Sequence, residues 1–275
     1  MRPTGKRSNI RPGLTLLWVA LVMMASGVRP VRALDVFTLW RQPDLPLNLT
    51  EGAWADFRSQ VMAGGKRDEG LTRVSCLGLD QGSDGETFLL EILPLVEYPG
   101  PRFEPVPGEG VRLRLSRSLL DRKGHLLDAV VFAEKWRDGI PEEISLEQLR
   151  NDPLVSASLD TEFTPQQTES HDPTTRVISG TQFLCDQFLM SAVDTQSADL
   201  PAGRMIQTTS REITAAVHED LPFLGLAFVT ERVRSESTLD PPSRKFSPPP
   251  PQVRVEVMEM LGFGWEAEPA LGRKD

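Results

Sequence analysis

The side chains of this chain most suited to acid–base or metal chemistry are its three histidines, His125, His171 and His218. The last of them begins the triplet His218-Glu219-Asp220, but adjacent residues of a strand point to opposite faces, so the triplet is a poor chelate. No His-x-x-x-His pair or nearby cysteine completes a zinc site. Each histidine lies in or beside a predicted turn, and we predict no metal site and no catalytic residue among them.

An acidic stretch has part of the spacing of a calcium-binding EF-hand loop. Asp80, Asp84 and Glu91 stand at ligand positions of that loop, but Gly82 occupies another and offers no side-chain oxygen. The flanking residues have the pattern of strands, whereas the motif requires helices. Glu91 is expected to project from the solvated face of the strand 88–93, and we predict neither calcium nor any other cofactor.

The motifs of common hydrolases and nucleotide-binding proteins are absent from the sequence. There is no Gly-x-Ser-x-Gly elbow, and neither Ser83 nor Ser179, which lie beside glycines, has that pattern. The Gly64-Gly65 pair opens no helix that could bind a phosphate. A secreted hydrolase stays open as an alternative, and it requires a histidine or paired carboxylates from separate strands within hydrogen-bonding distance.

The chain has two cysteines, Cys76 and Cys185, and they are candidates for one disulfide. In an oxidising compartment this bond would stabilise the fold by roughly 4–5 kcal/mol in the entropic model. The alternative is two separate thiols that are buried as small apolar side chains. Sequence alone does not place two sulfurs within bonding distance, so both interpretations stay open.

The first 33 residues have the composition of a secretory signal peptide. They carry six basic residues and no acid, and they contain the apolar segment 13–28 and the ending Val31-Arg32-Ala33. We therefore predict that residues 1–33 are a signal peptide and that the protein is periplasmic or secreted. Arg29 and Arg32 follow the apolar segment, where basic residues favour the cytoplasmic side. An uncleaved anchor is the alternative, and it would be the only membrane contact.

Removing this leader makes the chain more acidic. The leader holds six of the 30 Lys and Arg residues, which leaves 24 against 39 Asp and Glu, a formal charge of −15 compared with −9 for the whole chain. Nucleic acids and anionic membranes are bound by cationic patches, and no run of Lys or Arg follows residue 34. The charge therefore excludes nucleic acid as a partner.

The remaining sequence has the alternation of antiparallel strands with one solvated face. Val253, Val255 and Val257 alternate with Arg254 and Glu256, which predicts buried valines and solvated charges. Glycine-containing turns separate several of the segments. The predicted strands are 52–62, 69–79, 88–93, 111–115, 126–136, 182–193, 204–218, 225–238 and 252–261.

One short helix interrupts the strands. Ser145 and Gln148 have the spacing of a capping box, and Ile144 with Leu149 forms the matching hydrophobic staple. Long polar segments predict loops at 98–110, 159–174 and 240–252. We expect one antiparallel sheet domain at 34–265 with a helical insertion near 144–151, followed by a flexible tail at 266–275.

Two segments in the second half of the chain together form a pattern of strands and turns. The stretch from Gly180 to Cys185 has the pattern Gly-x-x-x-x-Cys, and a later strand ends in the turn Asp220-Leu-Pro222, with Gly225 three residues on. The pattern resembles uncharacterised bacterial envelope proteins related to the outer-membrane lipoprotein carrier (LolA/LolB-like) superfamily.

The resemblance covers residues 177–235 and implies a strongly curved antiparallel sheet around an apolar groove. We therefore expect a mainly β (α+β) fold, a large curved antiparallel sheet or half-barrel with one or two short helices. The glycines and the proline of the pattern also have a simpler explanation, because such residues suit a bending sheet and a tight turn.

These observations favour an exported, non-enzymatic protein of the cell envelope. Its ligand would be apolar, a lipid or lipoprotein-like molecule, or an envelope protein partner, bound on the concave face of the sheet. Besides the hydrolase, a structural or assembly factor is an alternative, and its exposed edge strand would pair with a partner.

Overall fold

The computed structural model describes residues 49–82, 85–100, 102–120, 126–152, 154–155, 165–200, 203–223, 225–242 and 248–272. The predicted signal peptide, together with Ser83, Asp84 and His125, lies outside these residues. The described residues contain no helix that could span a membrane.

Strands account for most of the described chain, and they form one antiparallel sheet. All of the predicted strands are present, with somewhat different ends. The strands are β1 (Trp54–Ala63), β2 (Lys66–Gly82), β3 (Gly85–Tyr98), β4 (Arg102–Pro105), β5 (Gly110–Ser116), β6 (Val130–Arg137), β7 (Ile140–Glu143), β8 (Gln167–Ile178), β9 (Thr181–Leu200), β10 (Gly203–Val217), β11 (Leu226–Asp240) and β12 (Gln252–Gly264).

Among the residues that the structure describes, helices are few and short. They are α1 (Arg117–Leu120), a single 3₁₀ turn (Leu126–Ala129) and α2 (Leu146–Asn151). The start of α2 confirms the predicted capping box, since the side chain of Ser145 accepts from the Gln148 amide while the Gln148 side chain accepts from the Ser145 amide. This reciprocal bonding satisfies two amides that the first turn of a helix leaves unpaired.

The strand order divides the sheet into two successive antiparallel meanders. One consists of β7-β6-β5-β3-β2-β1 and the other of β12-β11-β10-β9-β8, with β4 added beside β3. The two meanders meet where β1 pairs with β12, from Trp54 opposite Gly264 to Ala63 opposite Arg254. The first and last strands of the described residues are therefore neighbours in the middle of the sheet.

The second meander is rolled so that its edge strand approaches β12. Ser179, in the turn after β8, donates from Oγ to the carbonyl oxygen of Leu261 at 3.3 Å. The rings of Phe183 on β9 and Phe263 on β12 pack edge to face with centroids 5.8 Å apart. Since β10 and β11 lie between those strands in the sheet, these contacts require strong curvature. The predicted curved antiparallel sheet is confirmed.

The core lies on one face of the sheet, which we call the inner face. Directly paired residues of antiparallel strands share a face, and Ala55, Val74, Ile92 and Val111 form such a row across β1, β2, β3 and β5. Phe88 and Leu90 share this face with Ile92, because alternate residues of a strand point the same way. Buried side chains of α1, the 3₁₀ turn and α2 cover part of it: Leu120, Leu127 and Leu149.

On the opposite, outer face, the chain after β12 forms a strap over the first meander. The strap consists of residues 266–272, which were predicted to be a flexible tail. The amides of Ala270 and Leu271 donate to the two carboxylate oxygens of Glu91 at 2.9 and 3.3 Å. The Leu271 side chain packs against Leu93 and Trp136. The strap thereby fastens the end of β12 to β3 and β6.

Two predicted loops and the predicted position of Glu91 differ from the structure. Residues 102–105 and 167–174 were predicted to lie in loops but belong to β4 and β8, because both are polar edge strands that lack an apolar alternation. The prediction of a solvated Glu91 is wrong. Its side chain is 0% exposed and is bonded to Arg112 at 2.7 Å as well as to the strap. A carboxylate with that many partners is stable inside the protein.

Candidate ligand site on the inner face

The inner face of the second meander is only partly covered. Its long strands extend past the part of the sheet that carries the buried core. β9 has 20 residues, and β10 and β11 have 15 each. We use the name inner groove for five half-buried apolar residues of this region: Val61, Ala63, Ala192, Val233 and Met258. They surround the charged residues described next and come from β1, β9, β11 and β12.

A charged cluster of four residues lies within the inner groove. It consists of Arg211 on β10, Glu231 on β11, and Arg254 and Glu256 on β12. Glu231 and Glu256 are directly opposite each other, and the row continues on one side to Val61 and on the other to buried Ile213. The cluster therefore adjoins the dry core.

The two carboxylates of the cluster lie deeper than the two guanidinium groups. The side chains of Glu231 and Glu256 are each 2% exposed, whereas those of Arg211 and Arg254 are 16% and 25% exposed. Like charges that face each other across a strand pair repel, so each carboxylate needs a cation. Arg211 donates from Nε to Glu231 at 2.5 Å, and Arg254 makes an ion pair with Glu256.

The Arg254–Glu256 pair is not fully hydrogen-bonded. Its ion contact joins Arg254 Nη2 to Glu256 Oε1. Both of these atoms, together with Arg254 Nε and Glu256 Oε2, are buried, and none of the four makes a regular hydrogen bond within the described residues. Burial lowers the pKa of the Arg254 guanidinium, while the Glu231 carboxylate opposes that shift and Arg211 adds to it. Arg254 is therefore influenced by both members of the neighbouring Arg211–Glu231 pair.

The predicted faces of β12 are reversed in the structure. Arg254 and Glu256 were expected in solvent, but they lie on the inner face. Val253 is exposed on the outer face, where Val255 is paired with Arg232. Alternation shows that two faces differ, but it does not show which face is buried. Arg254 and Glu256 pair with each other on the same strand, and they lie beside the Arg211–Glu231 pair of β10 and β11 on the inner face.

The two cysteines are free and buried, in β2 and β9. Burial raises the pKa of Cys76 to about 11, with an opposing hydrogen bond from the Gly78 backbone and a smaller contribution from Glu51. Burial also raises the pKa of Cys185, and Arg176 opposes that shift. Both thiols belong to the apolar core, which corresponds to the second of the two interpretations left open by the sequence.

Gly180, the first residue of the Gly-x-x-x-x-Cys pattern, lies in a tight hairpin turn. Ser179 and Gly180 connect β8 to β9, with φ values of +49° and +81°. Ile178 and Thr181 close the turn as a directly paired couple. Positive φ at both turn residues is typical of two-residue hairpins, and glycine adopts it without strain.

The other part of the pattern forms the turn between β10 and β11. The His218 amide donates to the Gly225 carbonyl at 2.9 Å, and the Gly225 amide donates to the Pro222 carbonyl at 3.1 Å. This turn directs Leu221 and Phe223 into the core, where both are buried. The turn therefore contributes two side chains to the hydrophobic core.

The histidines described by the structure are not brought together. His218 accepts from the Asp220 amide at its Nδ1, 3.2 Å away, and its ring packs against Phe183. His171 is partly exposed on β8, with Nε2 4.0 Å from Glu169. Within the described part of the chain, no group of three His, Cys, Asp or Glu side chains is arranged to hold a metal ion.

Comparison with known proteins gives distant likenesses to solved structures only. A DUF1329 family protein from Desulfovibrio piger has 11% identity and a TM-score of 0.30, with 84% of this chain and 90% of that chain covered. A protein from Bacteroides fragilis, described as a candidate exported protein with a YmcC-like fold, has 8% identity and a TM-score of 0.21, with 79% and 99% covered. At such low TM-scores, neither likeness supports an inference about fold or function.

No protein-family model and no curated protein sequence matches the chain. The resemblance to the lipoprotein carrier superfamily therefore stays a prediction. The residues that the sequence pattern missed are those of the charged cluster. Their only signal is that β10, β11 and β12 each carry charges in alternate positions, which is also the pattern of an ordinary solvated face.

Proposed function

We propose that this chain is an exported, non-enzymatic protein of the cell envelope that binds a lipid or similar apolar ligand in the inner groove. The observation that carries the proposal is the half-buried apolar lining of that groove, on strands that extend past the covered core. Val61, Val233 and Met258 present apolar surface there without the complete burial of core residues. Transfer of such surface from water to an apolar ligand is favourable.

The curvature of the sheet also supports this ligand class. A curved single sheet encloses its inner face without a second sheet, and long chains that are apolar along their length fit such a concave surface. The export part of the proposal depends on the signal peptide predicted from residues 1–33. Together these features favour a binding protein that acts outside the cytoplasm.

The experiment is displacement of the fluorescent apolar probe N-phenyl-1-naphthylamine from the purified protein by single-chain lipids below their micelle concentration. Val233→Gln should weaken probe binding about tenfold, because it places a polar amide among the groove residues. Val253→Gln is the matched control, since this valine is exposed on the outer face of β12. Equal binding by both variants and the unmodified protein, or no binding at all, would contradict the proposal.

A hydrolase is the second candidate, and one observation favours it. Glu231 and Glu256 are paired carboxylates from separate strands, as an active site of that kind requires. Each of them is paired with an arginine, Glu231 with Arg211 and Glu256 with Arg254. Chromogenic ester and glycoside substrates test the alternative: turnover that is lost in both Glu231→Gln and Glu256→Gln would establish the hydrolase.

A further inference from the structure

The strap is held on the outer face mainly by its last three residues, 270–272. The amides of Ala270 and Leu271 donate to the two oxygens of Glu91 at 2.9 and 3.3 Å, and the Leu271 carbonyl accepts from Arg112 Nη2 at 2.6 Å. One carboxylate and one guanidinium therefore bind three main-chain groups of two consecutive residues. Main-chain hydrogen bonds of this kind, combined with a pocket for a side chain, are how proteins bind extended peptide segments.

One side chain of the strap enters a pocket, which we call the strap pocket. Leu271 is 3% exposed and packs against Leu93 and Trp136. A Cβ added at Gly110 would lie 2.8 Å from Leu93 and 3.3 Å from Leu271, so the lack of a side chain there leaves room for both leucines. Gly272 has φ of +81°, and a Cβ added to it would lie 3.1 Å from the Trp136 ring. The pocket therefore suits a large aliphatic residue that is followed by glycine.

The side chains that form the strap pocket also bind one another. Arg112 donates to Glu91 at 2.7 Å and to Glu134 at 3.1 Å, and Trp136 Nε1 donates to the same oxygen of Glu134 at 2.9 Å. The Arg112 guanidinium lies over the Trp136 ring. These contacts join β3, β5 and β6 without the strap, so they hold the pocket ready for a peptide segment.

The segment that links β12 to the strap pocket is mostly in solvent. Four of the five residues in 265–269 are exposed, and the Ala267 amide donates to the Gly52 carbonyl at 2.7 Å. Because free energy from burial scales with the apolar area removed from water, this link contributes much less than Leu271 does. The contacts that hold the strap are therefore concentrated at its far end.

We propose that the strap pocket also receives the strap of a second copy of this chain, so that two copies exchange straps on their outer faces. Every copy carries the segment Ala270-Leu271-Gly272 that fits the pocket. The same main-chain bonds and leucine contacts form whichever copy supplies the segment, so the closed monomer and the exchanged dimer differ mainly in the link. Exchange of an identical element is a low-cost route to a dimer. This inference is independent of the proposed function, which concerns the inner face.

The first experiment tests whether the strap pocket binds a strap supplied by another molecule. A fluorescein-labelled peptide with the sequence of residues 268–272 is titrated into the protein carrying Leu271→Asp, which puts a charge in the apolar pocket and expels the chain's own strap. Fluorescence anisotropy should show binding at least about tenfold tighter than to the unmodified protein, whose own strap is present at a high effective concentration. Val253→Asp is the matched control, since Val253 is exposed on the outer face, and it should bind the peptide as weakly as the unmodified protein does.

Changes in the peptide locate its binding site without altering the protein. Alanine in place of the leucine should weaken binding at least about tenfold, because the pocket is left unfilled. A methyl group on the alanine amide should also weaken it, because that amide donates to Glu91. Equal binding of all three peptides would overturn the inference. If Leu271→Asp does not fold, Leu271→Ala takes its place, and failure of both variants to fold even with excess peptide would show that the strap is not exchangeable.

The second experiment tests exchange between two copies. The protein is unfolded in urea, refolded at low and at high protein concentration, and analysed by size-exclusion chromatography with light scattering. A dimer should form only at high concentration, because the closed monomer is favoured when copies are far apart. Val253→Asp should keep this dimer and Leu271→Asp should lose it. Monomers under every condition, or a dimer that Leu271→Asp also forms, would overturn the inference.

Discussion

At the residue scale, Glu91 shows how a carboxylate becomes part of a β-sheet interior. Glu91→Gln would replace a charged acceptor by an amide whose NH₂ group faces the donors of Arg112 and the strap. We expect a loss of about 3 kcal/mol in the free energy of unfolding, because Arg112 would lose its buried counterion. Urea unfolding followed by tryptophan fluorescence measures this loss.

The control for that prediction is Glu236→Gln. Glu236 pairs with Arg234 at 3.1 Å, and both side chains are about half exposed, so water screens their interaction. Its removal should change the free energy of unfolding by less than about 0.5 kcal/mol. Similar losses in the two variants would mean that the Glu91 network contributes no more than a surface pair.

The buried Cys76 thiol should make the free energy of unfolding depend on pH in the alkaline range. Burial raises the pKa of its thiol to about 11 from the ordinary 9.0, so the folded state holds this proton more tightly than the unfolded state does. The corresponding stability is fully present below pH 9 and is lost as the pH rises from 9 to 11, by an amount on the order of 2 kcal/mol. Free energies of unfolding measured at pH 8 and pH 11 give its size.

Cys76→Ala isolates this effect from other groups that titrate in the same range. The alanine variant should lose less stability between the two pH values than the unmodified protein does. A parallel decline in both proteins would show that the Cys76 thiol does not titrate differently in the folded and unfolded states.

Single residues also show the limit of sequence prediction. The alternation around Val255 indicated two unlike faces, and two unlike faces are present, but their orientation depends on Arg211, Glu231 and their neighbours on other strands. Glu91 was misplaced for the same reason, because Arg112 and the strap are remote in sequence. Burial of a charge depends on partners, and partners are a property of the fold.

At the element scale, the turn between β10 and β11 depends on a glycine. Gly225 has φ of +67°, and a Cβ added there would lie 2.6 Å from the carbonyl oxygen of His218. We expect Gly225→Ala to cost about 2 kcal/mol or more, from the positive φ and from displacement of that carbonyl. Thermal unfolding monitored by circular dichroism measures the effect.

Gly64→Ala separates the two contributions. Gly64 has a similar φ of +56°, but an added Cβ meets no atom within 4 Å. It should cost only about 1 kcal/mol, the price of the left-handed conformation alone. If Gly225→Ala is no worse than this control, the close approach to His218 makes no contribution to stability.

Element prediction succeeded where local signals agree. The capping box of α2 and the alternation of β3 and β5 are contained in a few consecutive residues, and each was recognisable from the sequence. β8 was missed because its residues are mostly polar and it forms an edge of the sheet. An edge strand is held by backbone hydrogen bonds to β9, and a side-chain pattern does not report those bonds.

At the scale of the whole molecule, the candidate site depends on the association of strands that are distant in the sequence. β1 and β12 come from opposite ends of the described chain, yet both supply residues to the inner groove, Val61 and Met258 among them. Neither the groove nor the charged cluster is complete until the last strand has joined the sheet. A pattern within a short stretch of sequence therefore could not predict where the groove and the cluster lie.

The division into two meanders has a consequence for assembly from separate fragments. Each meander is built from neighbours along the chain, and the β1–β12 ladder and the strap join one meander to the other. If the backbone is cut between residues 155 and 165, the two polypeptides should recombine into the native sheet when they are refolded together. Co-purification of an untagged half with its tagged counterpart would demonstrate this, and a strand swap between two molecules of the intact chain would follow the same route.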